Sequence, residues 1–345
     1  MSSPVGFAII GTGTIAQLHA RALAATPGTV LRAVHSRSLE RARAFAAEFA
    51  CEAHDDLAAL LARPDIAAVL IATPSGAHGE ATLAALRAGK HVLCEKPLEI
   101  TTARIDAMIA AADTAQRHLA AIFQNRFSPA AQRLKRAVET GRFGRLALCS
   151  AYVKWWRDPS YYSTSNWKGT AALDGGGALM NQGIHAVDLL QWLAGAPHTV
   201  SALVRTRSHA IEAEDTVAAH LEFPSGAAGV IEASTACYPG TPLRIEISGD
   251  RGTAILETDR LVKWEFAEKL PDDAEALAPT ISLGSGASDP KAINLAGHKI
   301  LIADLARAIT TGTAPAISAR EARASVAIIQ AIYESSRQRR PVAVG

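Results

Sequence analysis

The stretch VGFAIIGTGTIAQLHARAL, residues 5–23, constrains what this chain can fold into more than any other. A short apolar run that ends in glycine suits a strand buried on both faces. Gly11 permits the tight turn that follows, Gly13 removes the side chain that would block a pyrophosphate, and Ala16 lets helix and strand pack closely. Periodicity through Ile15, Leu18 and Leu23 predicts a helix whose first N–H groups, from Thr12 and Thr14 onward, suit a phosphate. Alone the motif is weak. Its setting strengthens it, because VLRAVHS, a helix over 39–49, IAAVLIAT (66–73), a helix over 77–88 and HVLCEK (91–96) alternate like a parallel sheet wrapped by helices. The competing reading is a glycine turn in an α/β protein that binds no nucleotide.

The end of the second predicted strand bears on which nucleotide. An NAD site usually carries Asp or Glu there to hold the ribose hydroxyls. Here the chain reads His35-Ser36-Arg37-Ser38, without an acid. Arg37 and the Ser36 hydroxyl suit a 2′-phosphate, since a guanidinium forks onto phosphate oxygens. NADP(H) is favoured on this reading. If Arg37 and Arg41 only solvate the next helix, NAD(H) serves as well.

With 345 residues the chain has room for two domains, expected at 1–123 and 124–345. Beyond Arg145 the pattern turns to strands: LALCSAYVKWW, TVSALVRTRS, DTVAAHLEF, AAGVIEASTAC, LRIEISGD, GTAILET and LVKWEFAE. These predict one broad, mainly antiparallel open sheet with a helix over 178–193 packed on it. A polar loop over 270–294 and helices over 298–311 and 319–337 complete the chain. The fold class expected is α/β, a parallel dinucleotide-binding sheet followed by an α+β domain. A net charge of +2 with no basic block argues against nucleic acid. No apolar run is long enough to cross a membrane, so a cytoplasmic protein is expected. Cys51, Cys94, Cys149 and Cys237 stand far apart, without zinc or disulfide spacing. His19, His54, His118, His198, His209 and His220 show no metal-ligand spacing either, and no metal is expected.

The second concentration of chemistry is DGGGALMNQGIHAVDLL, residues 174–190. On a helix, Asn181 and His185 lie one turn apart on one face. Histidine titrates near neutrality and can exchange a proton with a hydroxyl; an asparagine amide positions but takes no proton. Asp188 orients the imidazole, pairs with a neighbouring cation or hydrogen-bonds backbone at the domain junction, and the glycines are expected to leave room for cofactor and sugar. Lys96 follows an apolar strand and precedes Pro97, which aims its ammonium across the carboxyl edge of the sheet, where ligands bind. Between Tyr152 and Trp167 fall six of the eighteen aromatic residues. Aromatic faces stack on sugar C–H faces, and Arg157 and Lys168 suit a carboxylate or phosphate. Tyr161, Tyr162 and Trp167 are the better site candidates; Trp155 and Trp156 read almost equally well as interface packing.

GTGTIA (11–16), ATPSGAH (72–78), CEKP (94–97), FQNRF (123–127), WKGT (167–170) and GGGALMNQGIHAVDLL (175–190) together resemble the glucose–fructose oxidoreductase/inositol dehydrogenase (Gfo/Idh/MocA) family along nearly the whole chain. The resemblance implies a Rossmann domain, a second domain whose open sheet makes homodimers or homotetramers, and nicotinamide-dependent oxidation of a carbohydrate hydroxyl. It assigns Lys96 to the substrate hydroxyl and His185 to proton transfer. To the cofactor it assigns Gly11 through Ile15, Thr73, Pro74, His78, Glu95, Gln124, Trp167 and Lys168. Asn181 departs from the aspartate common at that place and resembles a subset acting on nucleotide-linked amino-sugar acids. Two other readings of such a chain are a non-catalytic nucleotide-binding regulator and an NAD-dependent glycoside hydrolase.

Overall fold

The computed structural model describes residues 3–278 and 295–345, in two compact units. The first takes residues 3–124 and 295–323, the second 125–278 and 324–345. Residues 295–323, which the division at 123/124 would put in the second domain, lie in the first unit, the helix Leu295–Thr311 among them. Its buried stripe (His298, Leu301, Ile302, Leu305) packs on the helix Thr14–Ala24, and Ser318 bridges to Ala120. An apolar stripe says that a helix is covered without saying by which sheet, so chain order misassigns it.

The first unit is a six-stranded parallel sheet ordered β3-β2-β1-β4-β5-β6. Its strands are β1 (Val5–Ile10), β2 (Thr29–His35), β3 (Glu52–His54), β4 (Ala68–Ile71), β5 (His91–Cys94) and β6 (Leu119–Ala121). Every residue of β1 and β4 is buried, as strands covered on both faces require. The order reverses between β1 and β4, which makes a crevice at the carboxyl ends of those strands. Short β3 and β6, absent from the sequence reading, fall on three-residue segments with too little pattern to register.

The second unit is an eight-stranded sheet ordered β13-β12-β11-β7-β10-β9-β8-β14. It comprises β7 (Leu146–Lys154), β8 (Thr199–Arg205), β9 (Thr216–Glu222), β10 (Ala228–Ser234), β11 (Arg244–Gly249), β12 (Gly252–Glu257), β13 (Arg260–Phe266) and β14 (Val342–Ala343). All pairs are antiparallel except β7–β10. Along β9, Val217, Ala219 and Leu221 point inward while His220 and Glu222 face out. The helices Pro129–Glu139 and Ile184–Ala194 cover the inner face. On the other face Leu148 and Leu203 are 57% and 52% exposed. Of the polar loop expected over 270–294, the stretch 279–294 lies outside the described residues. Among the described residues, no helix is long and apolar enough to cross a membrane.

Candidate active site

In the first unit the candidate residues gather at the carboxyl ends of β1, β4 and β5. Gly11 has φ +117°, and a Cβ there would stand 2.4 Å from the carbonyl oxygen of Ala72, so only glycine lets the chains leaving β1 and β4 pass. Gly13 is different: a Cβ added to it meets nothing within 4 Å. It precedes the helix Thr14–Ala24, which has no side-chain cap and no acid in its first turn. By contrast Ser38, Asp56 and Thr101 cap their helices with side-chain oxygens. The first N–H groups beyond Gly13 thus receive no side-chain cap from the chain. A cavity of about 380 Å³ adjoins them, lined by Thr12, Gly13, Gln17, Arg41, Phe45 and Glu48. Ser36 accepts the N–H of Ser38 at 3.3 Å, and Arg37 is exposed.

Thr73 and Pro74 follow β4. His78, 1% exposed, places Nδ1 2.7 Å from the Pro97 carbonyl and Nε2 2.9 Å from the Thr73 carbonyl, bracing the loops after β4 and β5. Burial pushes its pKa down, against two carbonyls that favour the doubly protonated ring. His78 thus works as a brace on backbone in this unit. The Thr73 hydroxyl and the Gln124 carbonyl oxygen are buried without a hydrogen-bond partner among the described residues. Buried polar atoms are normally satisfied. Together with the open side of Gly13 and the uncapped helix, they make a cradle that fits a dinucleotide.

Lys96 stands two residues past β5, its N–H donated to Glu95 Oε2 at 3.1 Å. The other Glu95 oxygen lies 2.8 Å from His19 Nε2 and 3.7 Å from His298 Nε2. Burial by itself would raise the Glu95 pKa, but the two imidazoles more than reverse it and hold the carboxyl well below its ordinary range. Burial lowers the pKa of His19. A neutral His19 that donates through Nε2 leaves its unpartnered Nδ1 as a lone pair, which is the cheaper atom to bury bare. The 2.8 Å approach of His19 Nε2 to Glu95 Oε1 is within hydrogen-bond distance. Glu95 so anchors the backbone of Lys96. Sequence spacing missed this cluster because its members come from three elements far apart in the chain; the one local signal was that His19 shares the buried face of its helix with Ala16 and Leu23.

In the second unit, Ala178–Gly183 winds as a π-helix before the α-helix Ile184–Ala194, so Asn181 and His185 span a change of helical pitch. Such π segments occur often at functional sites. Gly176 and Gly177 do not leave room for ligands as expected. A Cβ on Gly177 would lie 2.1 Å from the Glu214 carbonyl oxygen, and one on Gly176 would lie 2.2 Å from the Tyr333 hydroxyl. They admit this unit's own chain. The Glu214 carboxylate accepts the N–H groups of Gly177 and Leu179 and the Tyr333 hydroxyl, each at 2.8 Å, filling the start of the helix with a fixed anion. Of its expected roles Asp188 takes the pairing with a cation, receiving Arg126 through Nε at 2.7 Å and Nη2 at 2.6 Å.

The aromatic segment sorts in the same way. Tyr162 is 7% exposed, with its hydroxyl 3.0 Å from that of Thr235. Tyr161 accepts Gln182 Nε2 at 2.7 Å and carries the Lys168 ammonium 3.7 Å from its ring centroid. Burial lifts the Tyr161 phenol to about 12 and lowers the Lys168 ammonium, which Asp174 partly offsets. Arg157, expected to meet a carboxylate or phosphate, is 2% exposed and donates to the Trp156 carbonyl and Gln182 Oε1. Trp167 is half-buried, next to Lys168. Gln182 and Asp174 escaped the sequence reading, since neither type is distinctive without its partners.

Comparison with known proteins agrees with this geometry. Residues 5–123 match the model of the oxidoreductase family with an NAD-binding Rossmann fold, and residues 131–255 match the GFO/IDH/MocA C-terminal domain. The WlbA dehydrogenase of Bordetella pertussis, solved in complex with NADH and UDP-GlcNAcA, superposes with a TM-score of 0.90 at 31% identity, covering 100% of this chain and 99% of its own. Myo-inositol 2-dehydrogenase of Thermotoga maritima is 30% identical over 73% of this chain and 75% of its own. Levoglucosan dehydrogenase of Pseudarthrobacter phenanthrenivorans is 28% identical over 75% of each.

Proposed function

The chain belongs to the GFO/IDH/MocA family of NAD-binding oxidoreductases, and from that premise we propose that it moves hydride reversibly between a nicotinamide cofactor and a hydroxyl-bearing carbon of a sugar, sugar acid or nucleotide-linked sugar. The observation that carries this reading is the uncapped helix behind Gly13, with clear space before it, at the strand-order reversal. Gly11 to Ile15 hold the pyrophosphate there. Thr73, Pro74 and Gln124 hold the nicotinamide half, which is supported by the Thr73 hydroxyl and the Gln124 amide oxygen, buried without a partner among the described residues.

The nicotinamide, when bound, supplies the hydride acceptor. The chain's own residues handle the proton and the charge. Lys96 polarises the substrate hydroxyl and stabilises negative charge growing on its oxygen. His185 takes that proton and returns it in the reverse direction. Asn181 hydrogen-bonds the sugar and carries no proton, so there is no lysine–carboxylate–histidine relay through position 181. NADP(H) is the preferred cofactor, supported by Arg37 and Ser36 where an acid would hold the NAD ribose; NAD(H) is the weaker one. The exposed Leu148 and Leu203 on the second unit's sheet support a homodimer or homotetramer joined through that face. Sedimentation of a Leu148→Glu/Leu203→Glu variant as a smaller species than wild type tests this assembly.

A screen of neutral sugars, uronates and nucleotide sugars by nicotinamide absorbance, with both cofactors, tests the activity. Net reduction with one class establishes it. Release of an aglycone without net reduction would make the chain a hydrolase, and silence with every compound would leave a nucleotide-binding regulator.

A further inference from the structure

We propose that Asp174 and Arg157 are positioning residues that set the polarity of a side-chain amide pair, Asn181–Gln182, and through it the hydrogen-bond pattern that the segment leading into His185 offers to substrate. The inference rests on Asn181 being a substrate-binding residue. Asn181 Nδ2 donates to Asp174 Oδ1 at 2.5 Å, Gln182 Nε2 donates to Asn181 Oδ1 at 3.1 Å, and Arg157 Nη2 donates to Gln182 Oε1 at 2.7 Å. A buried carboxylate thus connects to a buried guanidinium through two amides aligned head to tail.

The orientation of a side-chain amide is ordinarily ambiguous, because its oxygen and nitrogen are alike in shape. Here the ends remove the ambiguity. A carboxylate accepts only and a guanidinium donates only. Turning Asn181 over would set its carbonyl against the Asp174 oxygen, and turning Gln182 over would set its NH₂ against Arg157. Neither misfit has water to relieve it: Asp174 is 0% exposed, Arg157 2%, Gln182 8% and Asn181 9%. Both ends are themselves anchored, Asp174 Oδ2 by the Gly169 N–H at 2.7 Å and Arg157 by the Trp156 carbonyl at 2.9 Å and the Trp155 ring 5.1 Å away.

The chain also accounts for the residue type at 181. A carboxylate there would face Asp174 across 2.5 Å, and two carboxyl groups that close share a proton instead of both ionising. The neutral amide at 181 follows from the acid at 174.

Selective ¹⁵N labelling of Asn and Gln side chains tests the polarity without reference to turnover. Wild type should show slowly exchanging NH₂ protons for Asn181 and Gln182, and Asp174→Asn should lose that protection; equal exchange in the two proteins overturns the inference. Kinetics with the best sugar from the screen test the consequence. Asp174→Asn should raise KM at least tenfold while the Kd for NADPH stays within twofold. Asn181→Asp should make KM newly pH-dependent, and the exchange variant Asp174→Asn/Asn181→Asp should remove that dependence yet keep a high KM, because the 174–181 hydrogen bond is then reversed and position 181 has no N–H left to donate. A wild-type KM in the exchange variant overturns the inference even if Asp174→Asn fails to fold. Failure of wild type to turn over any sugar counts against the functional reading alone, and the exchange measurement still decides the polarity.

Discussion

Lys96 and Arg37 are legible as single residues because their reasons are local: one follows a strand end, the other stands where an acid is missing. Lys96→Ala should lower kcat by roughly 10²- to 10⁴-fold, the range removed with a proton-handling or charge-stabilising group. Its affinity for NADPH should change little, since the glycine loop that binds the pyrophosphate is intact. Turnover within a fewfold of wild type would take Lys96 out of the mechanism. Arg37→Ala should weaken NADPH by about 1.5–3 kcal/mol, the contribution of hydrogen bonds to a charged group, and leave NADH nearly unchanged. Equal losses for the two cofactors in a binding titration would mean that Arg37 reads no 2′-phosphate. Asp174 and Gln182 were illegible at this scale. An aspartate before glycines and a glutamine on a helix have many uses; Arg157 and Tyr161, some twenty residues upstream, give Gln182 a particular one, and Asn181 and the Gly169 N–H give Asp174 its own.

The two glycine-bearing helix starts look alike in sequence and differ in what the missing side chain makes way for. At Gly13 the space is empty, so Gly13→Ala should melt like wild type and bind NADPH at least tenfold more weakly. At Gly177 the space holds the Glu214 backbone, 2.1 Å from an added Cβ. A carbonyl oxygen there cannot swing aside as a side-chain tip would. Gly177→Ala should therefore cost at least about 1–3 kcal/mol of stability, seen as a lower denaturation midpoint. Gly177→Ala melting like wild type would contradict this packing. The long strands of both units and the helices read at 39–49, 77–88, 298–311 and 319–337 stand close to where periodicity puts them, but Thr102–Ala115 and Pro129–Glu139 form helices that the sequence reading did not contain. The π-helical turn at 178–183 was not readable, because its sequence reads as ordinary helix and its start is shaped by Glu214 and Tyr333.

Across the whole molecule, burial lowers the pKa of His19, His35, His78 and His91, the last to about 4. An imidazole released by unfolding protonates near 6.5, while the folded one resists, so unfolding takes up protons as the solution acidifies. Stability contributed by these neutral rings is full above that value and declines as pH falls through it; for His91 the decline continues to about 4. Glu214 and Asp188, raised by burial, act in the opposite sense, so a variant isolates the effect better than wild type alone. His91 Nδ1 accepts the N–H of His118 at 3.0 Å, a bond that asparagine can reproduce. Denaturation of His91→Asn should show a shallower loss of stability than wild type between pH 6.5 and 4, and an identical slope would mean that His91 does not titrate with unfolding. What the sequence determined by itself was the fold of each unit, the glycine loop and the strand-end lysine, because periodicity and turn chemistry act over a few residues. Which unit the helix Leu295–Thr311 joins, what the DGGG glycines accommodate and which partners fix Asn181 were decided by tertiary structure. Each depends on groups brought together from distant parts of the chain, and no local pattern records which distant group arrives.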